Sequence, residues 1–182
     1  MLSFWNIAEL HVLRALRRYH QITPKTLRRT IEYLEETFDS PHPLLTEKMV
    51  TDGVSIFVDK TGALINVGKH GQLAIRQLLE AHLHRIKQDL DGIAITLFPF
   101  VRHASEARVP AAELLNEPKI ISIDPRVRFG RPVIVGTSIP TSEIAERFRA
   151  GDSFAVLAEE YGRPTKEIEE AIRCELTFDV AA

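Results

Sequence analysis

One cysteine, one tryptophan and two methionines occur in 182 residues, and no apolar run approaches the roughly eighteen residues that a membrane span requires. Each scarcity excludes something. The lone Cys174 can close no internal disulfide and has no second thiol for a metal cage, so it reads as a buried, inert residue of a reducing compartment. The opening MLSFWNIAEL places a glutamate where a signal peptide carries its apolar centre, and the chain reads as cytoplasmic. Charge of one sign is missing too: the formal net charge is −2, so any basic surface must be a local asymmetry. Internal repeats and low-complexity tracts are absent.

What remains is 45% hydrophobic and 26% charged, enough for one large or two small domains with a packed core. From Phe4 to Tyr19, Ile7, Leu10, Leu13 and Leu16 recur every three residues, which predicts a helix. Thr23 and Pro24 supply a cap and a first-turn proline for a second helix carrying Leu27, Ile31, Leu34 and Phe38, so the pair reads as a helical hairpin. Val54–Val58 and Ala63–Val67 flank Asp59-Lys60-Thr61-Gly62 and read as a β-hairpin. Ile75, Leu78, Leu79, Leu83, Ile86 and Leu90 predict one long helix ended by Asp91-Gly92, followed by a strand within Ile93–Phe100. A polar, weakly periodic stretch over 102–118 reads as a linker or arm between a domain at 1–101 and another at 119–182. Within the latter, Lys119–Asp124 and Pro132–Val135 predict a β-ribbon. Helices follow over about Ser142–Ala150, over Ser153–Tyr161 behind an Asp152 cap, and from Thr165 onward. The class is therefore α+β and mainly helical, with an N-terminal helical hairpin, a small middle sheet with a long helix, and a C-terminal helix-turn-helix-like unit of three helices preceded by the ribbon.

Two segments compete for contact with nucleic acid. In the C-terminal one, Ala158 is the small residue where two helices cross, Gly162 permits the turn, and Leu157, Tyr161, Ile168 and Ile172 form the apolar wedge. Its charge argues the other way. Thr165–Leu176 holds Glu167, Glu169, Glu170 and Glu175 against Lys166 and Arg173, and an acidic helix in the major groove would meet repelling phosphates. The N-terminal pair has the opposite balance: HVLRALRRYHQITPKTLRR contains Arg14, Arg17, Arg18, Lys25, Arg28 and Arg29 and no acid. These six residues are the candidate DNA contacts, with a solvated helix face as the plain alternative.

The run ISIDPRVRFGRPVIVGTSIPTSEIAERFRAGDSFAVLAEEYG resembles the domain of unknown function 433 family. Its marks are Asp124-Pro125, Gly130-Arg131-Pro132, Gly136-Thr137-Ser138-Ile139-Pro140 and Ala150-Gly151-Asp152-Ser153. SFWNIAELHVLRALRRYH, GQLAIRQLLEAHLHRI and LFPFVR are similar to the longer subgroup that serves as VapB-type antitoxins beside PIN-domain ribonuclease toxins. The resemblance implies a non-enzymatic antitoxin that neutralises such a toxin and contributes to DNA binding and autoregulation of transcription. In that subgroup a MerR-like winged helix-turn-helix precedes the Ser-Phe-Trp segment. If that module is absent here, Phe4–Phe38 would be only the rear helices of a DNA-binding head.

A PIN-type nuclease gathers carboxylates around divalent metal, so its inhibitor gains most by presenting arginine forks. The candidate toxin contacts are Arg126, Arg128 and Arg131 in the ribbon, then Arg102 and Arg108 in the arm; ion pairing of the ribbon arginines with Asp124 is the plain alternative. Ribbon exchange would give a homodimer, an intrachain hairpin being the other option. No cofactor and no metal site is expected. His82 and His84 lie two apart on a helix and diverge. Gly62 and Gly68-Lys69 are spaced wrongly for a phosphate loop, and His70 stands where a Ser or Thr is needed. The rival function is a homodimeric protein-interaction module without DNA affinity.

Overall fold

The computed structural model describes residues 3–20, 22–46, 48–65, 69–102 and 109–179. They form two compact units, one holding the chain as far as Ile95 together with a short later helix, the other holding the remainder from Thr96.

The first unit begins with α1 (Phe4–His20) and α2 (Pro24–Phe38). The Thr23 hydroxyl accepts the Thr26 N–H at 3.2 Å, Pro24 occupies the first turn, and Asp39, in the left-handed conformation, closes the helix on Glu35 O. Leu27, Leu34 and Phe38 are buried as the sequence predicts, while Thr30 takes the interior place expected of Ile31, which is half-buried. The principal partners of the two helices differ: α1 packs on α4 (Lys69–Leu83), and α2 on α3 (Val54–Ile65). Between α2 and α3 come a 3-10 turn (Pro43–Leu45) and a π-helical turn (Met49–Gly53). A buried hydroxyl pair, Thr30 with Thr61 at 3.2 Å, and Lys60 Nζ 4.0 Å above the Tyr33 ring tie α2 to α3.

The segment read as a β-hairpin is α3 as far as Ile65, and its last residues, 66 and 67, lie outside the described residues. Its buried residues, Val54, Phe57, Val58, Thr61 and Gly62, follow helical spacing once threonine and glycine are counted as interior positions. Gly62 is a packing residue: a Cβ there would lie 2.7 Å from Gln72 Nε2 of α4. The long helix also ends early, at Leu83, and Leu90 is fully exposed. A two-stranded sheet follows, β1 (Ile86–Gln88) and β2 (Ala94–Leu97), so the small middle sheet exists but later in the chain than read. Its hairpin is anchored by Trp5 Nε1 donating to Ala94 O at 3.2 Å and Gln88 Nε2 donating to Leu45 O at 2.6 Å. Within the stretch read as linker, α5 (Ala111–Asn116) packs on α4.

In the second unit β3 (Ile121–Ser122) pairs antiparallel with β4 (Val133–Ile134), Ile121 opposite Ile134. The far side of β3 is bridged at Ile123 to Leu97, and β4 is bridged at Val133 to Pro140, so the ribbon is paired within the chain. Three helices follow: α6 (Thr141–Arg149), α7 (Phe154–Tyr161) and α8 (Thr165–Asp179). The α7 cap is Ser153, whose hydroxyl accepts the Val156 N–H at 3.3 Å, one residue later than the expected Asp152. Gly162, at φ 60° and ψ 36°, ends α7 as the turn requires. Ile121, Ile134, Ile144, Leu157, Ile168, Ala171, Ile172 and Cys174 form the core, with Ala158 and Tyr161 packed against it. Burying each large aliphatic side chain contributes about 1.5–3 kcal/mol, so the expected helix-turn-helix wedge is also the hydrophobic centre of this unit. Burial pushes the Cys174 thiol up to about 12, with Glu175 and Glu170 adding to the effect. No described helix is long and apolar enough to cross a membrane.

Candidate functional site

The buried stripes of α1 and α2 turn their basic residues outward. Ala8, Val12 and Leu16 are buried along α1 while Arg14 and Arg17 are exposed; Lys25, Arg28 and Arg29 are exposed in the first two turns of α2. The side chains of Arg17, Lys25, Arg28 and Arg29 form no hydrogen bond or ion pair with any described residue. Arg14 is engaged within the molecule. Arg18 lies on α1, its side chain outside the described residues.

Behind α1 the same unit buries bases. The rings of His11 and His82 lie 5.0 Å apart, and Arg85 is buried with them. His82 Nδ1 donates to Leu78 O at 2.9 Å. Burial, reinforced by the Arg85 charge, holds His82 down at about 4, and His11 is lowered well below its ordinary value by burial, His82 and Arg85. Both imidazoles are therefore neutral at neutral pH. Among the described residues no group of three or more His, Cys, Asp or Glu is gathered to hold a metal.

The ribbon arginines have unequal fates. Arg126 forks onto Asp124, Nε to Oδ1 at 2.9 Å and Nη2 to Oδ2 at 2.7 Å, while its backbone N–H also reaches Oδ1 at 2.9 Å. Thr96 donates to Oδ2 at 3.0 Å. Arg126 above all holds the Asp124 carboxyl down at about 2. Here the plain alternative, an ion pair within the ribbon, is what forms. Arg128 donates through Nε to Ser138 O at 2.9 Å. The exposed Arg131 side chain pairs with no described residue. Between Arg128 and Gly130 stands Phe129, fully exposed with φ 57° and ψ 34°.

Arg102 is committed inside the second unit, its Nε 2.7 Å and its Nη2 2.6 Å from Glu170 Oε1. Glu117 Oε1 accepts the Val101 and Arg102 backbone N–H groups at 2.6 and 3.1 Å. Arg108 lies outside the described residues. The acidic face of α8 is thus smaller than its composition implies: Glu170 is buried against Arg102, Glu167 pairs with Arg163 at 2.7 Å, and Glu175 accepts the Thr141 hydroxyl. Exposed Lys166, Glu169 and Arg173 remain on its surface. Between α6 and α7, Arg147 bridges Glu160 and Asp152, which raise its affinity for its proton further, and Tyr161 donates to Glu143 at 3.1 Å.

Residues 121–173 match the family described as Protein of unknown function (DUF433). This stretch is similar to a DUF433 domain. The chain as a whole is 27% identical over 184 residues to a protein of Mycobacterium tuberculosis (strain H37Rv) named "Putative antitoxin VapB45", covering 94% of this chain and 70% of the relative. The crystal structure of Rv2018 from Mycobacterium tuberculosis has the same fold, with TM-score 0.68 and 23% identity over 94% of this chain and 78% of that one. The resemblance to a VapB-like antitoxin carrying a DUF433 domain therefore extends along most of the chain.

Two residues of the second unit escape a reading by charge pattern. Phe129 belongs to no periodic apolar stripe, and a lone aromatic between arginines and a Gly-Pro turn was its available signal. Glu170 looks like one more surface carboxylate of α8; that it lies four before Cys174, which shares its helix face and is buried, was the sign that it faces inward.

Proposed function

We propose that this protein is a non-catalytic, antitoxin-like regulator that neutralises a PIN-domain ribonuclease toxin through its DUF433 unit and contributes to DNA binding and autoregulation through the outward faces of α1 and α2. The observation that carries this reading is the 27% identity to the named antitoxin, sustained across 94% of the chain. The electrostatics support the division of labour. Arg17, Lys25, Arg28 and Arg29 are exposed without hydrogen-bond or ion-pair partners among the described residues, as phosphate contacts need to be. In the second unit Arg126 is neutralised by Asp124 and Arg102 by Glu170, so the contact with a carboxylate-lined toxin site falls to Arg131 and Arg128 of the ribbon.

Co-expression with the protein encoded by the adjacent reading frame tests the reading. A purified complex is expected, together with ribonuclease activity in that protein that disappears on adding one equivalent of this chain. If the neighbour neither binds nor loses activity, the antitoxin reading is wrong.

The second reading is a homodimeric interaction module without DNA affinity. It is favoured by α8, whose exposed Glu169 sits where a recognition helix needs to welcome phosphate. Gel-shift titration of the intact chain separates the two.

A further inference from the structure

The Val127–Arg131 loop spends conformational freedom on a side chain that touches nothing. Arg128 has φ 48° and Phe129 φ 57°, and Gly130 follows at φ 78°. Glycine takes this region without penalty; a bulky aromatic there is an outlier whose Cβ crowds the backbone. Nothing within the unit returns that cost, because the Phe129 ring is fully exposed. Yet the loop is firmly built. Val127 N–H donates to Asp124 O at 2.9 Å, Gly130 N–H to Val127 O at 3.0 Å and Arg131 N–H to Arg128 O at 3.2 Å. The Arg126 fork locks one limb onto Asp124, and Arg128 Nε ties the tip to Ser138 O.

Strained backbone that presents an unsupported group to solvent persists where the surroundings over-determine it and the group has a use. A rigid aromatic beside arginine has the composition of an interface anchor, and preorganisation removes the entropy cost of ordering it on binding. Charge narrows the occupant. No acid occurs between Asp124 and Glu143, and Arg131, beside the ring, is exposed without a partner among the described residues. We propose that this loop is a protein-docking loop, with Phe129 entering an apolar pocket on the partner and Arg128 and Arg131 pairing with carboxylates at the rim of that pocket. The proposal rests on the antitoxin reading and specifies its contact: the partner is the toxin, and the decisive residue is the aromatic rather than the arginine fork of Arg126.

Two variants of the full chain test it, Phe129→Gly and Phe129→Tyr, each titrated against the purified protein of the adjacent reading frame, with thermal melting of the free chain alongside. Phe129→Gly relieves the left-handed strain and removes the ring, so its melting temperature is expected to rise while affinity falls by about 30-fold or more, the loss that defines a dominant interface residue. Phe129→Tyr keeps the ring and is expected to bind within a few-fold of the wild type. A lower melting temperature for Phe129→Gly would mean the ring supports the fold and would overturn the proposal, as would unchanged affinity. Loss of self-association by light scattering with toxin binding intact would assign the ring to a second copy of the chain. Loss of duplex DNA binding with toxin binding intact would make it a wedge between base steps. Either assignment overturns the proposal and leaves the antitoxin reading standing. If the wild-type chain forms no complex at all, the antitoxin reading fails and takes the docking loop with it.

Discussion

Among the described residues the buried chargeable groups of the first unit are bases, His82 and Arg85, with His11 and the acid Glu9 half-buried, whereas those of the second are acids, Asp124, Glu117 and Glu170, met by arginine or by backbone N–H groups. The difference reaches the surface. The second unit uses Arg126 and Arg102 to hold its own carboxylates, which leaves Arg128 and Arg131 at the tip of the ribbon among its exposed bases. On the first unit Arg17, Lys25, Arg28 and Arg29 stay outside, without described partners. A sequence run rich in arginine therefore means different things in the two units: in one it is material for binding a partner, in the other largely material for the fold.

Acid is the sharpest way to separate them. His82 sits at about 4 in the native protein against 6.5 in an unfolded chain. Above pH 6.5 it is neutral in both states and costs nothing. As pH falls from 6.5 towards 4 the unfolded chain takes up a proton that the native state refuses, and stability drops by on the order of 3 kcal/mol. His11 acts in the same direction. Asp124 has the acid's pattern: lowered from 3.8 to about 2, its contribution is complete above pH 3.8 and is lost as pH falls towards 2. With Arg126 67% exposed that contribution is about 1 kcal/mol after solvent screening. Hydrogen exchange resolved by segment between pH 7 and pH 3 should show α1 and α4 losing protection first, while α6 and α8 keep theirs to below pH 4. Simultaneous loss in both units would break the comparison.

Within the second unit, Glu170 and Glu169 are neighbours with opposite expectations. Glu170→Ala removes the partner of Arg102, and losing a charge-assisted hydrogen bond from a buried carboxylate costs about 2 kcal/mol. Glu169→Ala, on the exposed side of α8, should stay within about 0.5 kcal/mol of the wild type. Thermal denaturation of the two single variants decides this, and equal effects would show that the paired acids of this unit are not part of its fold.

How much of this was legible beforehand depended on which residues carried the pattern. The α7–α8 wedge was readable because Leu157, Ile168 and Ile172 are large and apolar and Gly162 takes the positive φ that marks a turn. α3 was misread because Thr61 and Gly62, polar and small, occupy interior positions of the helix. Val54, Ile56, Val58 and Asp59-Lys60-Thr61-Gly62 then look like a strand and its turn, and what Gly62 supplies, room for Gln72, exists only once α4 is in place. Leu90 misled in the other direction. It continues the helical stripe in sequence, yet the chain has already turned into β1 at Ile86. The site residues divide the same way. Exposure of the basic residues of α2 followed from helix periodicity, while the capture of Arg102 by Glu170 joins residues 68 apart, which local pattern does not encode.

The smallest change in stability, and the most direct reading of the first unit's surface, is expected from Arg17→Ala, Arg28→Ala and Arg29→Ala combined. None of the three side chains forms a hydrogen bond or ion pair with a described residue, so the melting temperature of the triple variant should match the wild type closely. Its binding to promoter DNA should not. Each phosphate contact removed makes the dependence of log affinity on log salt shallower by about 0.9, so the triple variant should bind more weakly at low salt and show a slope reduced by about 2 to 3. Gel-shift titrations at several salt concentrations measure both quantities. The matched control is Lys166→Ala with Arg173→Ala, which strips the exposed bases of α8. If the control flattens the slope as much as the triple variant does, phosphate is being met by the second unit, and the division of roles drawn from the two interiors is wrong. If the wild-type chain shows no salt-sensitive DNA binding, the free bases of α1 and α2 are a solvated face and the interaction-module reading takes precedence.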